Sequence, residues 1–162
     1  MTSTLDAEAL ERLRPMIELE LQRRLQASQA TSPSEIAAIL RAVFVHLCGI
    51  RRTRDEQTQF LAFAAPIGRE VAIGCVNAGL THHPNGGQLL QFDQWFRRVE
   101  SFDPLCTRMI DLFYFGGLSA RSTAAILGVS RKAVVRELRF AKAWWQEARL
   151  RSLSCFVSPC IE

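Results

Sequence analysis

The segment from Ala120 to Arg139 reads ARSTAAILGVSRKAVVRELR and restricts the possible folds more than any other part of the sequence. It predicts two short amphipathic helices that meet at a tight turn around Gly128, because glycine adopts the positive φ that a sharp turn between helices requires. Ala124 is small where the two helices must cross closely, and Ser130 stands where the second helix needs an N-cap. This pattern is typical of a helix-turn-helix, although any tight helix hairpin could show the same spacing.

The second helix of the pair carries most of its charge on one face. On helical geometry Val134 and Leu138 face inward and the cations face outward, as in a recognition helix that enters the major groove of DNA. Polar residues at the start of the first helix are expected to contact phosphates rather than bases. The candidate DNA-binding residues are Ser119, Arg121, Ser122, Ser130, Arg131, Lys132, Val135, Arg136 and Arg139.

Positive charge is concentrated in the C-terminal half. Residues 1–80 contain nine Lys or Arg and nine Asp or Glu, whereas residues 88–151 contain eleven and six. A polyanion would be attracted to that half through counterion release. The alternative is that the basic surface is simply solvated. Nucleic-acid binding is favoured, because the excess positive charge lies in the same half of the chain as the helix-turn-helix.

Helical periodicity dominates the rest of the chain, with almost no strand signal. We predict an all-α fold of two small helical domains joined by a linker, the second a four-helix domain that contains the helix-turn-helix. The turn-forming sequence THHPNGG marks the boundary. The predicted division is residues 1–79 for the first domain, 80–87 for the linker, 88–151 for the second domain and 152–162 for a frayed tail.

Local signals predict where several helices begin, bend or end. Ser32-Pro33-Ser34-Glu35 is a helix start with a capping box. Pro15 is expected to kink or split the first helix near Arg14, and Pro66 to kink the third. The last helix is expected to end near Leu150.

The residues favour no other chemical site. Five cysteines without a CxxC pair indicate reduced thiols in a cytosol. The adjacent side chains of His82-His83 point apart, so no metal site is predicted. No catalytic spacing or glycine-rich phosphate loop is present, so we predict neither an enzyme nor a cofactor. Without a run of eighteen apolar residues or a signal sequence, no membrane contact and a cytoplasmic location are predicted.

Residues 102–149 closely resemble the second helical domain, region 4, of the extracytoplasmic-function (ECF) sigma factors of bacterial RNA polymerase. The shared pieces are the DP helix start, the aromatic-GGLS step, the TAxxLGVS turn and the RxAxxW helix extension. In that family the domain reads the −35 promoter element and packs on the polymerase flap. The resemblance therefore implies duplex DNA and core RNA polymerase as partners, with an anti-sigma protein as a further candidate. Two basic residues usual in the family are replaced here by Phe113 and Val135.

The N-terminal half resembles region 2 of the same family more weakly. Gln59 to Asn77 is similar to the helix that carries −10 recognition and strand separation. Where the family is rich in arginine, this chain has Pro66, Glu70, Asn77 and Gly79. The resemblance also implies a polymerase-binding helix over residues 32–47. Its candidate contacts are Ile36, Ile39, Leu40, Val43, Phe44 and Leu47.

Two functions remain open at this point. The first is a working sigma factor that binds core polymerase and recognises promoters, which the family resemblance favours. The second is a degenerate sigma-like DNA-binding regulator, or a protein-interaction module, that does not itself initiate transcription. The neutral N-terminal half favours the second function, because promoter melting needs contacts that this half lacks.

Overall fold

A computed structural model describes residues 5–82 and 84–155. Over these residues the structure is all-α, which confirms the predicted fold class. The helices are α1 (Ala7–Ser28), α2 (Pro33–Cys48), α3 (Arg54–Asn77), α4 (Gly86–Phe102), α5 (Pro104–Ile110), α6 (Ala120–Leu127) and α7 (Arg131–Cys155). A π-helical turn, Asp111–Phe115, continues α5.

Capping boxes set the starts of α2 and α3. The Ser32 hydroxyl accepts the Glu35 N–H at 3.3 Å, and the Glu35 carboxylate accepts the Ser32 N–H at 3.0 Å, which confirms the predicted box. Thr53 and Glu56 make the same reciprocal pair at the start of α3, at 3.2 and 2.8 Å. The Thr-x-x-Glu pattern of this box is present in the sequence.

The first helix differs from its prediction. α1 runs unbroken from Ala7 to Ser28 with Pro15 inside it, so the expected split near Arg14 does not occur. Proline removes one backbone donor. Beyond it, Ile17, Leu21 and Leu25 are fully buried and anchor the helix to the core.

Two other boundaries also differ. α4 begins at Gly86, inside the predicted linker. α7 continues past Leu150 to Cys155, so the start of the predicted tail is helical. The rest of that tail, residues 156–162, lies outside the described residues, as does His83.

One apolar core runs through both halves of the chain, with α3 at its centre. α1 and α2 pack on α3 from the N-terminal half, and α4 and the π-helical turn pack on it from the C-terminal half. The approach is close at Gly116, where an added Cβ would lie 3.2 Å from the Ala65 Cβ. The division into two domains stays a prediction, but the two parts are in extensive contact.

A buried ion pair joins the two halves. Arg69 on α3 donates two hydrogen bonds to the carboxylate of Asp111 on the π-helical turn, at 2.7 and 3.3 Å. Its guanidinium lies 4.0 Å from the centroid of the Phe96 ring, and its Nη1 lies 3.9 Å from an Asp93 oxygen. Burial raises the pKa of the Asp111 carboxyl above its usual value, while the hydrogen bonds from Arg69 act in the opposite direction.

α3 is also the one described helix that is long and apolar enough to cross a membrane by length and composition. Of its most apolar window, 61% is buried inside the protein. The helix therefore behaves as the central helix of a folded core.

Candidate nucleic-acid interface

The turn between α6 and α7 has the geometry of a helix-turn-helix. Gly128 ends α6 in the left-handed region, with φ 66°, as the sequence predicted. The Val129 N–H then closes the turn on the Ala124 carbonyl at 3.1 Å. The Ser130 hydroxyl accepts the Ala133 N–H at 3.1 Å, so it caps α7 as predicted. These local bonds fix the direction in which α7 leaves the turn.

α7 turns an apolar face inward and a cationic face outward. Val134 and Leu138 are buried, and Val135 is half-buried. The outward surface is open and shallow. It is lined by Arg131, Lys132, Val135, Arg136 and Arg139, and the four cations among them are exposed.

Most of this positive charge is available to a ligand. Arg136 is bonded to the neighbouring Glu137 carboxylate at 3.0 and 3.1 Å. Arg131, Lys132 and Arg139 form no ion pair with any residue that the structure describes. The Arg136 side chain is 76% exposed, so water screens that pair and a phosphate can compete for it.

Three further candidates, Ser119, Arg121 and Ser122, lie at the start of α6. The Ser119 hydroxyl caps α6 by accepting the Ser122 N–H at 3.0 Å, and it donates to the Ser122 hydroxyl at 3.1 Å. Arg121 is exposed beside them. Ser119 thus has a structural role whether or not it meets a phosphate.

The helix that resembles the −10-recognition helix offers little to DNA. Between Gln59 and Asn77 the only charged residues are Arg69 and Glu70. Arg69 is buried against Asp111, so the single cation of this stretch is already paired. Sequence reasoning did not foresee this, because the partner lies 42 residues away along the chain.

Comparison with known proteins identifies the family. A family model for ECF sigma factors matches residues 51–151, which is more than half of the chain. The chain belongs to the ECF sigma factor family. Members of this family act in transcription as regulators rather than as enzymes. No curated protein and no solved structure matches this ECF sigma factor.

The residues predicted to bind polymerase lie mostly inside the protein. Ile36, Leu40, Val43 and Phe44 belong to the core beneath α2. Ile39 and Leu47 are half-buried against it. In this conformation α2 therefore presents other side chains to a partner, and these six residues mainly hold α2 against α3.

Cys75 and Cys106 are buried and Cys48 is half-buried, which disfavours thiolate chemistry at these three cysteines. Burial raises the pKa of the Cys106 thiol to about 11 and also raises those of Cys48 and Cys75. A thiol that stays protonated at neutral pH is a poor nucleophile and a poor metal ligand. No group of three or more His, Cys, Asp and Glu in the described part of the chain is placed to hold a metal ion.

Replacing Gly128 with alanine should destabilise the ECF sigma factor by about 1–2 kcal/mol, because a Cβ makes left-handed backbone costly. An added Cβ at Gly128 would meet no atom within 4 Å, so the cost comes from φ alone. Gly87 in the first turn of α4 has equally open space, without positive φ. Gly87→Ala is the matched control and should leave stability unchanged or raised. Urea unfolding measures both, and equal losses at the two sites would contradict the turn geometry.

Proposed function

We propose that this ECF sigma factor works in the cytoplasm, where it binds bacterial core RNA polymerase and directs it to promoters through the helix-turn-helix of α6 and α7. The outward face of α7 supports this proposal most directly. Three of its four cations have no ion-pair partner among the described residues, and the cap and turn bonds hold the helix in a fixed direction.

The proposed mechanism is positioning rather than chemistry. Arg131 and Lys132 lie at the N-terminal end of α7, the end that enters the major groove in helix-turn-helix proteins. An arginine that meets guanine can make two parallel hydrogen bonds, and the half-exposed Val135 can pack on a thymine methyl group. Arg121 and Ser122 on α6 would contact phosphates and set the register of α7 on the duplex.

A second function is favoured by the buried Arg69. With its one cation paired inside the protein, the stretch from Gln59 to Asn77 has none to offer the DNA of a −10 element. A protein that binds the −35-like element but cannot open the promoter would act as a regulator or would hold polymerase without starting transcription.

Run-off transcription distinguishes the two functions. The full-length chain is mixed with core polymerase and a promoter library, and polymerase binding is measured in parallel. Transcripts that begin at specific sites are expected if the proposal is correct. Stable polymerase binding without transcripts would instead support the second function. If the chain neither binds core polymerase nor produces specific transcripts, the proposed polymerase-directed role is wrong.

A further inference from the structure

A basic groove of about 710 Å³ lies between the N-terminal half and the start of α6. Arg41 on α2 and Arg54 at the start of α3 line one wall, and Arg121 and Ser122 of α6 line the other. Asp55 is the one acidic residue on its lining, so the three arginines leave the groove positive.

Arginines without an ion pair among the described residues are the minority in the N-terminal half, and two of them line this groove. The N-terminal half contains nine arginines, and six of them form ion pairs: Arg12, Arg14, Arg23, Arg24, Arg52 and Arg69. The other three, Arg41, Arg51 and Arg54, pair with no acidic residue in the described part of the chain. Two of these three unpaired arginines, Arg41 and Arg54, line the groove that faces the start of α6.

The position of Arg41 relative to the helix-turn-helix is fixed by a direct bond. Its Nη2 donates to the Gly117 carbonyl at 3.0 Å, just before the cap of α6. Gly117 has φ 65°, and an added Cβ would lie 2.5 Å from that nitrogen. Because Gly117 has no Cβ, the Arg41 guanidinium can lie directly on the backbone that leads into α6. The hydrogen bond from Arg41 to Gly117 therefore joins the two walls of the groove.

We infer that the groove binds the sugar-phosphate backbone of the duplex seated on α6 and α7, with Arg41 and Arg54 as phosphate contacts supplied by the N-terminal half. This inference rests on the DNA binding proposed above, and it extends the interface beyond the helix-turn-helix. A duplex is the occupant that fits best, because Arg121 and Ser122 belong both to the groove and to the proposed phosphate contacts of α6. The two halves would then bind DNA as one packed body.

The test uses the full-length chain and a duplex selected from a random library by the wild-type protein. Each phosphate contact contributes about 0.9 to the slope of log Kobs against log salt. Arg41→Gln/Arg54→Gln should therefore lower the slope by about 1.8 and the affinity at 0.1 M salt by about 60-fold. The preferred sequence should not change, because α7 still reads the bases. Hydroxyl-radical footprinting should lose protection at one edge of the site.

Two variants control for charge and for folding. Arg12→Gln/Arg23→Gln removes the same charge from ion-paired, exposed positions on α1 and should leave the slope unchanged. Arg54→Gln alone should lower the slope by about 0.9 without touching the bond between Arg41 and Gly117.

Unchanged slope and affinity in both groove variants would overturn the inference. Normal DNA binding with loss of core polymerase binding would overturn it too, since the groove would then serve a protein partner. If the groove variants bind normally while changes on α7 abolish binding, only this inference fails. Absence of duplex binding by the wild-type chain would overturn this inference as well, whereas the proposed function fails only if polymerase binding and specific transcripts are both absent.

Discussion

Arg69→Met is expected to lower the free energy of unfolding by about 3–5 kcal/mol, because it leaves the Asp111 carboxylate buried without its partner. The Arg69 and Asp111 side chains are 6% and 7% exposed, so water cannot take over the lost hydrogen bonds. The variant also loses the contact of the guanidinium with the Phe96 ring. Since a domain is stable by about 5–15 kcal/mol in total, the loss should be obvious in urea unfolding.

The double variant Arg69→Met/Asp111→Leu tests whether the pair is the cause. Removing both charges should restore most of the lost stability, because replacing a buried ion pair by apolar side chains of similar volume is often close to neutral. Arg12→Met is the matched control, since Arg12 is 71% exposed and pairs with Glu8 on the surface of α1. It should change stability by no more than about 0.5 kcal/mol. Equal losses from Arg69→Met and from the double variant would exclude the carboxylate as the cause.

The pH dependence of Arg69→Met has a defined sign. Burial raises the folded-state pKa of Asp111 above the unfolded value of about 3.9, and removal of Arg69 raises that pKa further. A raised folded pKa means that folding favours the protonated carboxyl. Its contribution to stability is complete below the unfolded pKa and is lost as pH rises through the folded pKa. The destabilisation by Arg69→Met should therefore be smaller at pH 4 than at pH 7.

The features that sequence reasoning found are local ones. A glycine in a left-handed turn, a serine that caps the next helix and the Ser-x-x-Glu box at α2 act over a few residues, so their signals lie side by side. Gly128, Ser130 and Glu35 all take the predicted roles. The inward face of α7 was also predictable, because helical periodicity alone places Val134 and Leu138 on one side.

The features that it missed depend on distant parts of the chain. Nothing beside Arg69 in the sequence indicates that it pairs with Asp111 or lies on Phe96. The π-helical turn that carries Asp111 has no simple sequence signature. The turn is closed by the Asp111 backbone carbonyl, which accepts the Gly116 N–H at 2.8 Å. The basic groove was missed for the same reason, since Arg41 and Gly117 are 76 residues apart.

Removing the cations of α7 is expected to cause a large loss of affinity for duplex DNA. Replacing Arg131, Lys132 and Arg136 together with alanine should abolish measurable duplex binding, with a loss of at least about 100-fold, since each good base contact is worth about 1–3 kcal/mol. The slope of log Kobs against log salt should fall by about 2.7 if all three cations neutralise phosphates, and by less where one reads a base. Fluorescence anisotropy over a range of salt concentrations measures both quantities. The fold should survive, because all three side chains are exposed.

The controls for this variant separate position from charge. Arg12, Arg23 and Arg24 form ion pairs on α1, so their joint replacement by alanine removes the same charge away from the motif. That protein should bind the duplex as the wild type does. Glu137→Gln should have the opposite effect on duplex affinity from the removal of cations. It releases Arg136 from the carboxylate at 3.0 Å and removes a negative charge beside the DNA, so binding should tighten a few-fold. Equal losses of duplex affinity in the α7 variant and the α1 variant would mean that binding depends only on net charge. The assignment of α7 as a recognition helix would then be wrong.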